Sequence, residues 1–131
     1  MRRHGCRLTG ALASVLIATA VGSASAEPRN NCFPSGVAWQ SWSAAENGDV
    51  LYFRVHLNDI YRVDLTPGSR VYKSPGYFLV NRVRGSDWIC SALDLDLMLS
   101  STYGDRKPLI AVAMRKLTPA EIKAIPRKDL P

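Results

Sequence analysis

Apolar and polar residues alternate along two adjoining stretches of the chain, residues 50–57 and 60–65. A period of two is typical of a β-strand that buries one face. The apolar positions are Leu51, Phe53, Val55 and Leu57 in the first stretch and Tyr61, Val63 and Leu65 in the second. Asn58 and Asp59, two residues that favour turns, lie between the stretches. The pattern therefore predicts a β-hairpin.

The register of this hairpin is predicted by keeping apolar residues on one face. A two-residue loop would set Val55 against Arg62 and would mix polar with apolar side chains. We therefore predict an odd-length loop or a β-bulge, with Arg54 opposite Asp64. The expected apolar pairs are Leu57 with Tyr61, Val55 with Val63, and Phe53 with Leu65.

Other stretches predict further short strands separated by turns. Residues 93–99 alternate strictly, with leucines on one face and Asp94 and Asp96 on the other. Residues 109–114 form an apolar run expected of a central strand. Residues 37–43 fit a strand or a short helix, residues 77–84 and 88–90 fit strands, and residues 100–107 fit a loop.

The C-terminal part of the chain predicts a short helix. Thr118 and Glu121 have the spacing of a capping box, and Pro119 suits the first helical position. We expect a helix over residues 119–125 and a frayed tail over residues 127–131. Five to seven short strands and one short C-terminal helix indicate a mainly β fold, a small antiparallel barrel or sandwich.

Residues 1–26 have the three parts of a secretory signal peptide, namely a basic start, an apolar run and an Ala-Ser-Ala cleavage site that ends at Ala26. The apolar run is too short to span a bilayer comfortably. We predict cleavage after Ala26 and a periplasmic or extracellular protein whose mature chain has no transmembrane segment. Residues 27–131 would then form a single small β-rich domain.

The charge of the mature chain gives little support to a nucleic-acid partner. The whole chain has a formal charge of +6, and three of its arginines belong to the predicted signal peptide. Most of the apparent basicity is therefore removed with that peptide or is mild. The sequence predicts no nucleic-acid partner.

Two cysteines, Cys32 and Cys90, remain in the predicted mature chain. Because an exported protein folds in an oxidising compartment, a single disulfide between them is the leading hypothesis. Such a bridge would close a long loop, for which chain entropy suggests about 4 kcal/mol of stabilisation.

Several short pieces of this sequence occur in an order that is also found in other proteins. They are Cys32-Phe33, Leu51-Tyr52-Phe53-Arg54, Tyr61-Arg62-Val63, Ile89-Cys90 and Leu117-Thr118-Pro119-Ala120-Glu121-Ile122. In that order they resemble a family of small exported bacterial proteins classed only as a domain of unknown function. Family members usually have four cysteines, and the two that are missing here fall near Ser69 and Leu109. The resemblance implies that Cys32 pairs with Cys90, and it implies no activity.

Candidate catalytic and metal-binding residues are few. His56 is the one histidine of the mature chain, and a hydrolase would need it as a general base beside a carboxylate and a serine. No nucleophile-elbow motif accompanies it. Asp94 and Asp96 would share a strand face, but a calcium site needs several more oxygen ligands. We predict no catalytic residue, no metal and no cofactor.

Arginines recur through the predicted sheet. The candidates for binding an anionic ligand are Arg54, Arg62, Arg82 and Arg84. They would form a surface for anionic polymers or lipid head groups together with further basic and aromatic residues. These are Arg70, Arg115, Lys116, Arg127, Lys128, Trp39, Trp42, Tyr72 and Tyr77. The alternative is an ordinary charged surface.

The sequence favours a non-enzymatic accessory or binding domain of the cell envelope, whose partner is an anionic polymer or a protein. One alternative is a secreted inhibitor of a hydrolase, for which an exposed loop at residues 100–107 would provide the contact. Its weakness is that a positively charged chain would be repelled by a basic enzyme. A further alternative is a small hydrolase that uses His56, which would need a cleft beside the imidazole.

Overall fold

The computed structural model describes residues 31–35, 39–82, 85 and 87–131. The predicted signal peptide, residues 1–26, lies outside this part of the chain. The strands are β1 (Phe33–Pro34), β2 (Ser41–Ala44), β3 (Val50–His56), β4 (Asp59–Leu65), β5 (Tyr77–Asn81), β6 (Trp88–Ile89), β7 (Leu97–Ser101), β8 (Arg106–Leu109) and β9 (Ala111–Lys116). One α-helix, α1, covers Pro119–Ala124, and short 3-10 turns cover Pro67–Ser69, Ala92–Asp94 and Arg127–Asp129.

The strands form three antiparallel sheets. One sheet has the order β2-β3-β4-β9, another has the order β5-β7-β8, and β1 pairs with β6. The predicted mainly β class is confirmed, with nine strands among the described residues where five to seven were expected. The described strands make separate sheets and close no barrel, so the sandwich-like layout is the one that fits.

A main core lies where the three sheets meet. Leu51, Phe53, Val55, Tyr61 and Val63 enter it from the four-stranded sheet, Leu79, Leu97, Leu99 and Leu109 from the three-stranded sheet, and Phe33 and Ile89 from the two-stranded one. Trp39 stacks on Phe53 with ring centroids 4.6 Å apart. Each large side chain buried here contributes roughly 1.5–3 kcal/mol through lost apolar hydration.

A second core covers the opposite face of the four-stranded sheet. It contains Val50, Tyr52, Ile60, Leu117 and Ile125. Successive strand residues point to opposite faces, so Leu51, Phe53 and Val55 enter the main core while Val50 and Tyr52 enter the second core. Residues 50–53 of strand β3 are therefore buried on both sides, which a one-faced alternating pattern does not predict.

Helix α1 forms by the predicted capping box. The Thr118 hydroxyl accepts from the Glu121 N–H at 3.3 Å, and the Glu121 carboxylate accepts from the Thr118 N–H at 2.9 Å. The prediction of a frayed tail is wrong. Ser43 donates a hydrogen bond to the backbone carbonyl of the buried Asp129, and Leu130 packs against the second core, so the tail covers that core.

The register of the central hairpin differs from the prediction. Phe53 faces Tyr61 and Arg54 faces Ile60, and the predicted bulge is present between Arg54 and His56. The turn lies at residues 57–58 rather than 58–59. The predicted register assumed that Leu57 would be buried, but the bulge places it in the turn, where it is 80 % exposed.

Residues 93–99 do not form the continuous strand that their alternation predicts. Residues 92–94 form a 3-10 turn that is closed by reciprocal hydrogen bonds between Ser91 and Asp94, and β7 begins only at Leu97. Leu93 is 94 % exposed as a result. Side chain to backbone bonds of Ser and Asp compete locally with strand pairing, and here they prevail.

The apolar run at residues 109–114 is also interrupted. Ile110 separates β8 from β9, and β9 lies at a sheet edge instead of the predicted central position. The N–H of Ile110 donates to the Ser69 hydroxyl at 2.8 Å, and its carbonyl accepts from the Thr66 N–H at 3.0 Å. These bonds satisfy the backbone where the chain leaves one sheet for another.

Two further segments, residues 100–107 and residues 37–43, can be compared with their predicted structure. The loop expected over residues 100–107 is shorter than predicted, because residues 102–105 form the turn while the residues on either side of it belong to β7 and β8. Of the two alternatives for residues 37–43, the described part supports the strand, as β2, while residues 36–38 lie outside the description. Among the described residues no helix is long and apolar enough to cross a membrane.

The predicted disulfide between Cys32 and Cys90 is present. It flanks the short β1–β6 pair, in which Phe33 lies opposite Ile89, and both of these residues are buried in the main core. The bridge therefore holds together two segments that contribute to the core although 58 positions separate the cysteines.

We expect removal of the disulfide to lower the free energy of unfolding by about 4 kcal/mol, because a long loop is then released in the unfolded chain. A Cys32→Ala/Cys90→Ala variant, compared with the oxidised protein by urea denaturation, measures this loss. The oxidised protein treated with a thiol reductant should reach the same midpoint. A change below about 1 kcal/mol would contradict the expectation.

Candidate functional site

The arginines predicted to bind an anionic ligand are not brought together. Arg54 donates from Nε and Nη2 to the Pro131 backbone oxygen at 3.1 and 2.8 Å, so it fastens the C-terminal segment to β3. Arg62 on β4 forms an ion pair with Asp64 at 2.7 Å. These two arginines are already bound to groups of the protein.

Arg82 lies on a different part of the fold. It follows β5 and pairs with Asp96, with its Nε 3.0 Å from the carboxylate. Arg84 lies outside the described residues. Trp39 and Trp42, predicted to join the same surface, pack against the main core instead. The predicted arginine surface therefore stays a prediction, and the structure shows its described members at separate places with intramolecular partners.

His56 ends β3 and is exposed. Its register partner is Asp59, across the turn, and its imidazole forms no hydrogen bond within the described part of the chain. It lines none of the clefts described below. Within the described ranges, His56 therefore makes none of the hydrogen bonds to a nucleophile that a general base would need.

Asp94 and Asp96 do not form the carboxylate pair that the sequence suggested. Asp94 accepts from the N–H groups of Cys90 and Ser91, each at 2.9 Å, and these bonds hold the pKa of its carboxyl below the ordinary value. The Asp94 cap therefore stabilises the fold at pH values above the ordinary pKa of an aspartate. Its contribution is lost as the pH falls through the lowered pKa. Both carboxylates border a cleft of about 370 Å³, but Asp96 is engaged by Arg82.

A larger cleft, of about 490 Å³, lies where the connection between β4 and β5 crosses the three-stranded sheet. We call it the basic cleft, and it is lined by Arg70, Tyr72, Ser74, Tyr77, Leu99, Asp105, Arg106 and Lys107. Lys107 is the cross-strand partner of Leu99, so the two share one face of the sheet. Arg106 also borders a groove on the other face.

Arg70 and Tyr72 form one wall of the basic cleft, and this wall is fixed to the main core. Val71 between them is buried, and its N–H donates to the Gly48 carbonyl at 2.9 Å. Gly48 has a φ of +74°, and a Cβ atom there would lie 2.9 Å from the Val71 carbonyl oxygen. Only glycine fits this turn without displacing the wall.

Three cations of the cleft differ in what they bind. Arg70 forms an ion pair with Asp49 at 2.9 Å, and this hydrogen bond is the main cause of its raised pKa. The Lys107 ammonium donates to the Arg70 backbone carbonyl at 2.9 Å. Arg106 has no hydrogen-bond or ion-pair partner among the described residues. Arg106 and Lys107 therefore present charges that no carboxylate of that part of the chain neutralises.

Sequence analysis identified Arg70, Tyr72 and Tyr77 as parts of a basic aromatic surface but missed Arg106 and Lys107. The pattern at residues 100–107 indicated a loop, so these two cations had no predicted neighbours. The contact of Lys107 with Arg70 joins residues far apart in sequence, and no local pattern indicates it. Within the described residues, no group of three His, Cys, Asp or Glu side chains is placed to bind a metal.

The fold and the cleft define a small disulfide-bonded β protein with a basic aromatic cleft. No family model, no curated protein and no solved structure matches this chain. The resemblance to the family of small exported bacterial proteins therefore stays a prediction.

We expect Gly48→Ala to destabilise the protein by about 1–2 kcal/mol, because a residue with a Cβ atom takes a left-handed conformation unfavourably. The contact with Val71 adds to this loss. Gly68→Ala is the matched control, since a Cβ atom there meets nothing within 4 Å and the residue has no positive φ. Urea denaturation of both variants tests the expectation, which fails if they are equally stable.

Proposed function

We propose that the protein is exported to the periplasm or the cell exterior, where it acts as a non-enzymatic binding domain for an anionic polymer of the cell envelope. Export is supported by the signal-peptide pattern of residues 1–26 and by the disulfide between Cys32 and Cys90. Residues 27–131, after removal of the peptide, form the functional protein.

The observation that carries this proposal is that two cations of strand β8, Arg106 and Lys107, line the basic cleft. Arg106 and Lys107 stand on a paired strand, so their positions are fixed by the sheet. Neither is neutralised by a carboxylate of the described residues, whereas Arg54, Arg62 and Arg82 all have close partners. A cation without a carboxylate partner can bind an acid group without breaking an ion pair.

The resemblance to small exported bacterial proteins adds a structural argument. The resemblance places the two missing cysteines near Ser69 and Leu109. The Ser69 hydroxyl accepts a hydrogen bond from the N–H of Ile110, the residue next to Leu109. Two positions that would have to be neighbours for a second disulfide are therefore close in this fold, which supports membership of that family.

A secreted hydrolase inhibitor is the second candidate. The turn between β7 and β8 displays Tyr103, which is 93 % exposed. The Ser101 hydroxyl accepts from the N–H groups of Tyr103 and Asp105 at 3.2 and 3.1 Å, so the turn is held in one shape. An exposed aromatic residue on a rigid turn is a common anchor of protein interfaces.

For the polymer-binding proposal, we expect Arg106→Ala/Lys107→Ala to weaken binding to polygalacturonate about tenfold at low salt, since two exposed charge contacts are lost. The difference should shrink as salt is added, because salt screens these contacts. Isothermal titration at two ionic strengths measures both effects.

The matched control for this variant is Lys123→Ala/Arg127→Ala. It removes the same charge from exposed residues near the C-terminus that do not line the basic cleft. Equal losses in the two variants would show that net charge alone governs binding, and the proposed site would be wrong.

For the inhibitor candidate, we expect Tyr103→Ala to abolish capture of a protein partner from envelope extract while polymer binding is kept. Pull-down with the immobilised mature protein, followed by identification of the retained hydrolase and an inhibition assay, measures this. A wild-type protein that inhibits no retained hydrolase would remove the candidate.

A further inference from the structure

Two tyrosine rings are exposed in the basic cleft. Tyr72 is 58 % exposed and Tyr77 is 43 % exposed. Within the described residues neither ring stacks on another aromatic ring, in contrast to Phe33 with Tyr61 and Trp39 with Phe53. Part of each ring is therefore accessible to a ligand that also contacts the cations. Such a cleft favours a ligand that has both apolar faces and acid groups.

A carboxylate in the same cleft narrows the choice of ligand. Oδ2 of Asp105 accepts a hydrogen bond from the Ser101 hydroxyl at 3.3 Å, and its other oxygen accepts none from the described residues. An ionised carboxylate accepts hydrogen bonds and donates none. Asp105 would therefore repel a ligand made of acid groups alone and would favour one that also carries hydroxyl donors.

A pyranose ring with an acid group meets these requirements together. Its axial C–H groups form a weakly positive face that suits the negative face of a tyrosine ring. Its hydroxyls can donate to Asp105, and its carboxylate can accept from Arg106 and Lys107. We infer that the ligand of the basic cleft is an acidic polysaccharide built of carboxylated pyranose rings. This inference rests on the function proposed above and names the class of its polymer.

Two other polyanions match the cleft less well. Polyphosphate has no apolar face for Tyr72 and Tyr77 and no hydroxyl donor along its chain. Single-stranded DNA can stack bases on tyrosines, but its sugar-phosphate chain offers no hydroxyl donor along its length. Asp105 lies in the cleft, and Asp49 already binds Arg70. A ligand that combines acid groups with many hydroxyls is therefore favoured.

The test compares polymers that differ in one property at a time. Polygalacturonate has carboxylates on pyranose rings, polyglutamate has carboxylates without rings, and oligothymidylate has phosphates with stacking bases. We expect the wild-type mature protein to bind polygalacturonate at least about tenfold more tightly than polyglutamate, because ring contacts add to the charge contacts. Titration calorimetry at one low ionic strength measures all three affinities.

Variants of the tyrosines then test the source of this preference. Tyr72→Ala/Tyr77→Ala should weaken polygalacturonate binding about tenfold and leave polyglutamate binding within about twofold, since only ring contacts are lost. Tyr103→Ala is the matched control, because this exposed tyrosine does not line the cleft. Circular dichroism and thermal melting verify that each variant is folded.

The possible results separate this inference from the function it rests on. Equal affinities for polygalacturonate and polyglutamate, both weakened by Arg106→Ala/Lys107→Ala, would overturn the polysaccharide inference and keep the polyanion site. Tightest binding of oligothymidylate, lost with the two tyrosines, would overturn it in favour of single-stranded nucleic acid. If none of the polymers depends on Arg106 and Lys107, the proposed function itself is overturned.

Discussion

Residues 50–53 of strand β3 are removed from water on both faces of the sheet, and each face packs against a different part of the chain. The odd residues of β3 pack against side chains of the other two sheets, while Val50 and Tyr52 pack against the segment that follows β9. Burial on both sides is the reason that the C-terminal residues are ordered. Without Leu117, Ile125 and Leu130 the even face of the sheet would expose a large apolar surface.

The sequence predicted the parts of the fold that depend on local chemistry. The capping box of Thr118 and Glu121 located helix α1 within one residue, and the alternation of Tyr61, Val63 and Leu65 identified a buried strand face. Such signals work because both partners of each interaction lie within a few residues. The pairing of Cys32 with Cys90 was predictable for another reason, since the predicted mature chain offers no other thiol.

The incorrect predictions arose where two local signals compete or where a distant segment decides. At residues 93–99 the alternation favoured a strand, but the carboxylate of Asp94 satisfies the N–H groups of Cys90 and Ser91 and closes a turn. At Ile110 the apolar run is broken by Ser69, which is remote in sequence and bonds its backbone. The basic cleft could not be predicted for the same reason, because Lys107 and Arg70 are far apart in sequence and come into contact only in the tertiary structure.

The distribution of charge partners distinguishes arginines that stabilise the fold from cations available to a ligand. Arg54, Arg62 and Arg82 are used within the protein, so displacing them would expose acceptors such as Asp64 and Asp96 to the loss of a hydrogen bond. A ligand that binds Arg106 breaks no such hydrogen bond, because the Arg106 side chain has no partner among the described residues. The cleft wall opposite is fixed by Val71 against Gly48, so its groups need little ordering when a ligand arrives. A preorganised wall beside a cation that has no carboxylate partner is an arrangement in which weak individual contacts add to a useful affinity.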